Sequence, residues 1–262
     1  DFIIHSVNDI LKKEFGRTVS DENIHILDPF TGTGTFMVRL LQSGLIDLKD
    51  LERKYKEELH ANEIVLLAYY IAAINIENAY HDATPDPNDG LGKDNYTSFD
   101  GIVLTDTFQL SETREGEIQY EEMLKKNSDR VEKQRNAPLR IIIGNPPYSI
   151  GQKSADDNAQ NQSYPTLDQK IRDTYAAETD VMKRALYDAY IKAFRWSTDR
   201  LDENGGIICF VSNGAWLDGN AAAGFRKSIE KEFSSIYVFN LRGNQRTSGE
   251  LSRKEGGKIF GS

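Results

Sequence analysis

Cysteine is almost absent from this sequence, since Cys209 is the only one in 262 residues. A single thiol excludes an intramolecular disulfide framework and is typical of proteins from a reducing compartment. Cys209 lies in the apolar run of residues 206–211, which predicts a buried strand. Because a buried free cysteine usually packs as a small hydrophobic side chain, we interpret Cys209 as a core residue and not as a nucleophile.

Long apolar runs are missing as well. No stretch approaches the roughly 20 apolar residues that a membrane-spanning helix needs, and no signal peptide pattern is present. The sequence therefore predicts a soluble, cytoplasmic protein with no membrane partner.

Histidine is equally sparse, with four residues in the chain. His5, His25, His60 and His81 show none of the paired spacings that metal ligands usually have. We therefore predict no metal site.

Positive charge is in short supply. Lys and Arg total 32 against 41 Asp and Glu, which gives a formal net charge of −9. Nucleic acid phosphates require cationic neutralisation, so a compact acidic domain is a poor stand-alone binder of DNA or RNA. If a nucleic acid is the substrate, we expect much of the contact to come from outside this chain.

Glycine occurs at an informative place in residues 28–36, which read Asp-Pro-Phe-Thr-Gly-Thr-Gly-Thr-Phe. This turn lies between a strand predicted over residues 23–28 and a helix over 37–42, an order that opens nucleotide-binding βαβ units. The third glycine of a dinucleotide fingerprint is missing, because bulky Phe36 or Met37 stands near its place. Asp28 would repel a pyrophosphate and favours a cationic or zwitterionic ligand such as a sulfonium amino acid nucleoside. A purely structural turn is the alternative.

Two further acids end predicted strands. Glu63 ends the strand over residues 59–64, where a carboxylate accepts hydrogen bonds from both hydroxyls of a ribose. An ordinary acid at the start of the following helix is the alternative for Glu63. Asp106 follows the apolar part of the strand over residues 101–108, where it is placed to accept the amino group of an adenine, with Phe108 against the ring. A loop aspartate explains Asp106 equally well.

The most distinctive segment follows the apolar run of residues 140–143 and consists of Asn145, Pro146, Pro147 and Tyr148. Two successive prolines make a stiff turn without local amide donors, so the Asn145 side-chain oxygen and the Pro146 carbonyl can converge as paired acceptors. An exocyclic amino group on a flat base needs such partners. Tyr148 offers a face on which an extruded base can stack. Taken alone, the segment is equally consistent with a rigid turn.

Alternating strands and helices predict an α/β fold with a doubly wound, mostly parallel sheet in one domain. Helices are predicted over residues 1–15, 45–57, 65–80, 111–136, 181–200 and 221–232, and further strands over 206–211 and 235–240. Residues 149–165 are rich in Gly, Asn, Gln, Asp and Ser and predict a flexible loop beside the reaction centre. In such sheets ligands bind beyond the carboxyl ends of the strands, where Asp28, Glu63, Asp106 and Asn145 all lie.

Together these motifs resemble the gamma-type amino-methyltransferases that act on adenine in DNA with S-adenosylmethionine. Residues 164–168 (Tyr-Pro-Thr-Leu-Asp) and 186–196 resemble more narrowly the methyltransferase part of type ISP restriction-modification enzymes, which are often described as predicted helicases. The resemblance covers essentially the whole chain and implies a Rossmann-like methyltransferase fold over residues 1–262.

The resemblance also implies roles for the site residues. It implies that Asp28, Thr31, Gly32 and Gly34 line the methionine end of the cofactor, that Glu63 binds the ribose, and that Asp106 and Phe108 bind the cofactor adenine. Pro29 and Ile64 are further cofactor-binding residues by the same resemblance. It also implies that Asn145, Pro146 and Tyr148 hold the flipped target adenine, with Pro147 counted in the same catalytic segment.

Further parts of a larger polypeptide are implied by the resemblance. Nuclease and helicase parts are expected upstream and a target recognition domain downstream, and the family's Thr-Pro-bearing cofactor segment is expected before the first helix. Two alternatives remain open. One is an amino-methyltransferase of the same fold that acts on a protein glutamine or an RNA base. The other is a catalytically silent recognition module of a helicase.

Overall fold

The computed structural model describes residues 1–84, 96–112, 125–148, 163–179 and 183–241. The helices are α1 (Phe2–Phe15), α2 (Thr35–Gln42), α3 (Leu48–Arg53), α4 (Leu66–Ala83), α5 (Lys125–Arg135), α6 (Pro165–Asp173), α7 (Ala189–Arg200), α8 (Ala215–Asp218) and α9 (Ala223–Glu232). The strands are β1 (His25–Asp28), β2 (Leu59–Glu63), β3 (Ile102–Leu104), β4 (Leu139–Gly144) and β5 (Ile207–Phe210).

All five strands pair in parallel, in the order β3-β2-β1-β4-β5. Parallel strands are normally buried on both faces, which explains the continuous apolar run of β4. On β4, Ile141 and Ile143 pack into a core with α1, α2, α3 and α4, whereas Ile142 packs on the other face against α6 and α7. Helices therefore cover both faces, and the predicted doubly wound α/β fold is confirmed.

The topological switch point lies between β1 and β4. From β1 the chain proceeds to β2 and β3 on one side, and then returns to place β4 on the other side. Ligands of doubly wound sheets bind where the connections diverge in this way. Asp28 ends β1 and Gly144 ends β4, so the two predicted motifs flank this crevice.

One predicted strand, residues 235–240, is wrong. The segment forms no strand, and its side chains contact α1 instead. Lys13 Nζ donates to Tyr237 Oη at 2.6 Å, and the Phe239 ring centroid lies 4.8 Å from that of Phe2. A strand needs a neighbouring backbone, and residues 235–240 are not among the five paired strands of the described sheet.

Several predicted boundaries also differ. The third strand stops at Leu104, so Asp106 lies in the following turn, and Phe108 begins a 3₁₀ turn. The helix predicted over residues 45–57 is α3 continued by a π-helical turn, Lys54–Glu58. The helix predicted over 181–200 divides into a 3₁₀ turn, Lys183–Tyr187, and α7, separated by Asp188, whose side chain caps α7.

Some predictions lie outside the described residues. They concern residues 149–162 of the proposed flexible loop, residues 113–124 of the helix predicted over 111–136 and residues 181–182 of the helix predicted over 181–200. The predicted end of that loop is wrong, because Pro165 already begins α6. In the part of the chain that is described, no helix combines the length and apolar character that a membrane crossing requires.

Candidate active site

The turn between β1 and α2 is shaped by glycine. Gly32 and Gly34 have φ of 58° and 88°, a left-handed conformation that side chains other than glycine rarely adopt. A Cβ on Gly34 would come within 3.2 Å of Ile76 Cγ1, because α4 packs against this turn. A Cβ on Gly32 would meet nothing within 4 Å. The turn therefore presents Gly32 toward open space, with room for a ligand against its backbone.

Glu63 joins this turn to the end of β2. Its Oε2 accepts the Gly32 amide at 2.7 Å, and its Oε1 accepts the Val65 amide at 2.7 Å. Both oxygens of a largely buried carboxylate are therefore held by backbone donors, which fixes its orientation. Ile64, the next residue, is 51% exposed and borders the same turn.

Asp28 is the most unusual acid of the site, since it is completely buried. Its Oδ1 accepts the Phe30 amide at 3.1 Å, while Oδ2 has no hydrogen-bond partner among the described residues. Burial raises the pKa of Asp28 to about 7; the Phe30 amide opposes this shift, and the negative charge of Glu63 adds to it. A buried acid without a counter-charge is suited to a positively charged ligand group.

Asp106 follows β3 and is held on both sides. Its Oδ1 accepts the Phe108 amide at 3.0 Å, and its Oδ2 accepts the Tyr164 hydroxyl at 2.7 Å. The Phe108 ring is buried, with its centroid 5.3 Å from Tyr164 and 5.5 Å from Phe30. Phe108 therefore belongs to an aromatic cluster beneath the rim of the sheet.

The Asn-Pro-Pro-Tyr segment begins directly after β4. Asn145 and Pro147 are exposed, Pro146 is buried and Tyr148 is half-buried. A Cβ on Gly144 would lie 3.1 Å from Asp28 Oδ1, so the segment starts beside the buried acid of β1. The two motifs are therefore neighbours across the switch point.

Tyr148 has two hydrogen-bond acceptors within reach. Its hydroxyl lies 3.1 Å from Asn145 Oδ1 and 3.2 Å from the Val211 carbonyl, and it donates to one of them at a time. The ring centroid is 6.2 Å from that of Tyr190. Burial and the nearby Asp188 raise the pKa of Tyr148, so its hydroxyl stays protonated. If the Tyr148 hydroxyl turns from Asn145 to the Val211 carbonyl, Asn145 Oδ1 becomes free to accept another donor and the hydroxyl keeps a partner.

Residues 60–245 match the family described as Eco57I restriction-modification methylase. The chain is a member of this family. A search of curated proteins found no match.

Three solved structures resemble this Eco57I-type chain closely, and the first two below are type ISP restriction-modification enzymes. A nuclease-deletion mutant of LlaGI in complex with a DNA substrate mimic is 49% identical, with a TM-score of 0.88 over 99% of this chain and 21% of that chain. LlaBIII bound to DNA is 45% identical, with a TM-score of 0.87 over 98% of this chain and 17% of that chain. The DrdV-DNA complex is 40% identical, with a TM-score of 0.85 over 98% of this chain and 24% of that chain. The chain thus spans a quarter or less of each, and the predicted resemblance to type ISP enzymes is confirmed.

The predicted residues of this methylase-family chain meet at one edge of the sheet. Asp28, Gly32 and Glu63 are linked through the β1 and β2 turns, and Gly144 reaches Asp28. The β3 turn is tied in by the Thr107 hydroxyl, which donates to the Pro29 carbonyl at 2.6 Å.

Sequence reasoning missed Tyr164, Asn62 and Thr107. Asn62 Nδ2 donates to Thr107 Oγ1 at 3.2 Å, so both residues tie the turns together. Tyr164 precedes the proline that starts α6 and lies in the segment 164–168 that carries the resemblance, but nothing in that segment assigned it a role in the site. Its partner Asp106 lies 58 residues away, a distance that no local pattern spans.

The histidines include one unforeseen pair. His25 Nδ1 and His60 Nε2 are 3.0 Å apart, and the rings stack at an interplanar angle of 7°. Burial lowers the pKa of His60 to about 3, so its ring is neutral near pH 7. The pair lies near the amino ends of β1 and β2, at the edge opposite the candidate site. Within the described residues no group of three or more His, Cys, Asp or Glu side chains is arranged to hold a metal ion.

Proposed function

We propose that the chain is the methyltransferase domain of a restriction-modification enzyme and methylates the exocyclic amino group of adenine in DNA with S-adenosylmethionine. The observation that carries the proposal is the arrangement at the switch point. Asp28, a buried acid without a counter-charge, ends β1, and Glu63, placed to bind a ribose, ends β2. The Asn-Pro-Pro-Tyr segment begins next to them at the end of β4. The Eco57I family description and the DNA complexes of the relatives support it.

The cofactor assignment rests on the fit between charges and residues. Asp28, with its unpartnered Oδ2, suits the cationic amino acid end, and Pro29, Thr31, Gly32 and Gly34 form the turn around it. Glu63 and Ile64 are assigned to the ribose, and Asp106 and Phe108 to the adenine. When bound, S-adenosylmethionine supplies an electrophilic methyl group on a sulfonium.

The target assignment rests on the acceptors after β4. Asn145 Oδ1 and the Pro146 carbonyl accept the two amino hydrogens of the target adenine, which raises electron density on its nitrogen. The incoming amino group replaces the Tyr148 hydroxyl at Asn145, and that hydroxyl turns to the Val211 carbonyl. Pro147 keeps the turn stiff and Tyr148 stacks on the base. Catalysis then comes from alignment and hydrogen bonding, without a covalent enzyme intermediate.

The substrate is double-stranded DNA with a flipped adenine, and we propose that other parts of a longer polypeptide supply most of the grip. The net charge of −9 is unfavourable for binding a polyanion without help. A target recognition domain, with helicase and nuclease parts in cis, fits the small share of the type ISP chains that this chain spans. Residues 1–262 then form one methyltransferase domain.

Asn145→Ala in the complete polypeptide tests the proposal. The variant loses one acceptor for the amino group but none of the proposed cofactor contacts. We expect methylation of DNA to fall at least about 100-fold, while calorimetry shows unchanged affinity for S-adenosylmethionine. Asn136→Ala, an exposed asparagine near the other end of β4, serves as the matched control and should keep full activity. Retained methylation in Asn145→Ala would refute the assigned role.

The same assays separate the alternatives. Methyl transfer to protein glutamine or to RNA, without transfer to DNA, would assign this fold another substrate. Absence of any cofactor binding by the complete wild-type polypeptide would identify a catalytically silent module.

A further inference from the structure

The carboxylate of Asp106 is fixed by two donors from different parts of the chain. The Phe108 amide reaches Oδ1 at 3.0 Å and the Tyr164 hydroxyl reaches Oδ2 at 2.7 Å. One donor on each oxygen sets the plane of the carboxylate, and each oxygen keeps a further lone pair free. Asp106 is only partly buried, so it remains accessible to a ligand beyond the end of β3.

Tyr164 is itself held rigidly. Its ring is 3% exposed and packs edge-on against Phe108 at 5.3 Å between centroids. On another side, Lys192 Nζ lies 5.0 Å from the ring centroid and pairs with Asp168 Oδ1 at 2.8 Å. The Asp168 amide in turn donates to the Tyr164 carbonyl at 2.7 Å. Ring, backbone and neighbours therefore leave the hydroxyl pointing at one acceptor.

The hydroxyl of Tyr164 is also a permanent donor. Burial is the largest cause that raises the pKa of Tyr164 well above its ordinary value, and the hydrogen bond with Asp106 is the next largest. The group therefore stays protonated throughout the physiological pH range, and Asp106 remains the acceptor in this pair.

We propose that Tyr164 is a positioning residue that makes the cofactor pocket selective for a 6-amino purine over a 6-oxo purine. A 6-amino group donates to the Asp106 carboxylate, whereas a 6-oxo group faces it with a lone pair. A carboxylate that is free to rotate can turn away from the 6-oxo group and relieve this repulsion, but one fixed by Tyr164 cannot. Sites that fix a hydrogen-bonding partner discriminate most strongly against the analogue that mismatches it. The inference rests on the proposed function, since it takes Asp106 as the acceptor of the cofactor adenine.

The test compares the affinities of two ligands in the complete polypeptide. S-adenosyl-L-homocysteine carries the 6-amino group and S-inosyl-L-homocysteine carries a 6-oxo group in its place. We expect the wild type to prefer the adenosyl ligand at least tenfold, and Tyr164→Phe to reduce that preference at least fivefold. The Phe ring keeps the packing against Phe108, so a purely structural role of Tyr164 would lower the melting temperature and leave the preference unchanged.

Tyr55→Phe is the matched control. Tyr55 is also a buried tyrosine, and its hydroxyl donates to the Thr97 carbonyl at 2.9 Å, but it lies away from the candidate site. Its ligand preference should equal that of the wild type. If melting curves show that Tyr164→Phe does not fold, Lys192→Met decides, since it loosens the Tyr164 ring without removing the hydroxyl. We expect Lys192→Met to lower the preference by about half or more.

The outcomes separate the two proposals. An unchanged preference in a folded Tyr164→Phe, or in Lys192→Met where Tyr164→Phe fails to fold, overturns the role of Tyr164 and leaves the proposed function standing. A wild type that binds neither ligand overturns the proposed function and this inference with it.

Discussion

At the residue scale, the burial of Asp28 carries a cost in free energy. Its carboxyl is fully buried with a pKa of about 7, against an ordinary value of 3.8. Between these two pH values the folded state keeps a proton that the unfolded state has already released. The free energy of unfolding therefore falls as the pH rises from about 4 to about 7, and it stays at the lower value above that.

Asp28→Asn removes this cost while keeping an acceptor for the Phe30 amide. A difference of one pKa unit corresponds to about 1.4 kcal/mol, so we expect the variant to be more stable than the wild type by up to about 4 kcal/mol at pH 8. The gain should shrink toward zero near pH 4, which denaturant titrations at several pH values would measure.

Asp202→Asn gives the control of opposite sign. The Asn204 amide and side chain lower the pKa of Asp202, so its replacement should bring no gain in stability at pH 8. Equal stability of Asp28→Asn and the wild type from pH 4 to pH 8 would contradict the raised pKa. A stabilised Asp28→Asn that no longer binds S-adenosylmethionine would support the proposed role of the acid.

At the element scale, the junction of the β1 turn with α2 depends on Gly34. Its φ of 88° is strained for any other residue, and α4 lies close enough that a Cβ would come within 3.3 Å of the Ala72 carbonyl oxygen. Gly44 has a similar φ of 72° but nothing within 4 Å of the Cβ position. A side chain at either position would therefore strain the backbone, but only a side chain at Gly34 would also crowd α4.

Gly34→Ala should cost more stability than Gly44→Ala. We expect about 1–2 kcal/mol from the backbone conformation in both variants, and about 1–3 kcal/mol more in Gly34→Ala from the contact with α4. Thermal or denaturant unfolding of the two variants checks this. Equal losses of stability would show that α4 accommodates the new methyl group without a loss of free energy, and the predicted effect of packing would be wrong.

Local patterns predicted the elements whose signal is local. The apolar runs of β1, β2 and β4 and the glycine turn were enough to place Asp28, Glu63 and Asn145 at one edge, because parallel strands share the direction of their carboxyl ends. Residues 235–240 have the β-branched and aromatic residues of a strand, but a strand also requires a partner that propensity does not supply. The hydrogen bond from Tyr164 to Asp106 depends on the packing of α6 against the 3₁₀ turn that begins at Phe108, and local patterns do not show such a contact.

For the whole molecule, the distribution of apolar surface is uneven. Seven large apolar side chains at the start and along one side of α4 are between 38% and 70% exposed: Ile64, Val65, Leu66, Leu67, Tyr70, Ile71 and Ile74. Contiguous exposed apolar surface of this kind promotes association. It begins at Ile64, directly beside the candidate cofactor site.

We expect residues 1–262, prepared as a separate polypeptide, to bind a hydrophobic dye and to self-associate through this surface. The double substitution Leu67→Glu and Ile74→Glu should reduce dye fluorescence several-fold with little change in melting temperature, because neither side chain is buried. Leu48→Glu is the control, since Leu48 is 65% exposed and lies on α3, outside this surface. An equal effect of both replacements would contradict a role for the α4 surface.

The identity of the methylated nucleoside shows whether this chain methylates adenine in DNA. The complete polypeptide is incubated with DNA and S-adenosylmethionine carrying a labelled methyl group, and the DNA is then digested to nucleosides for mass spectrometry. We expect labelled N6-methyldeoxyadenosine, reduced at least about 100-fold in the Asn145→Ala reaction. Label found only in methylated cytosine, only in protein, or nowhere would contradict it.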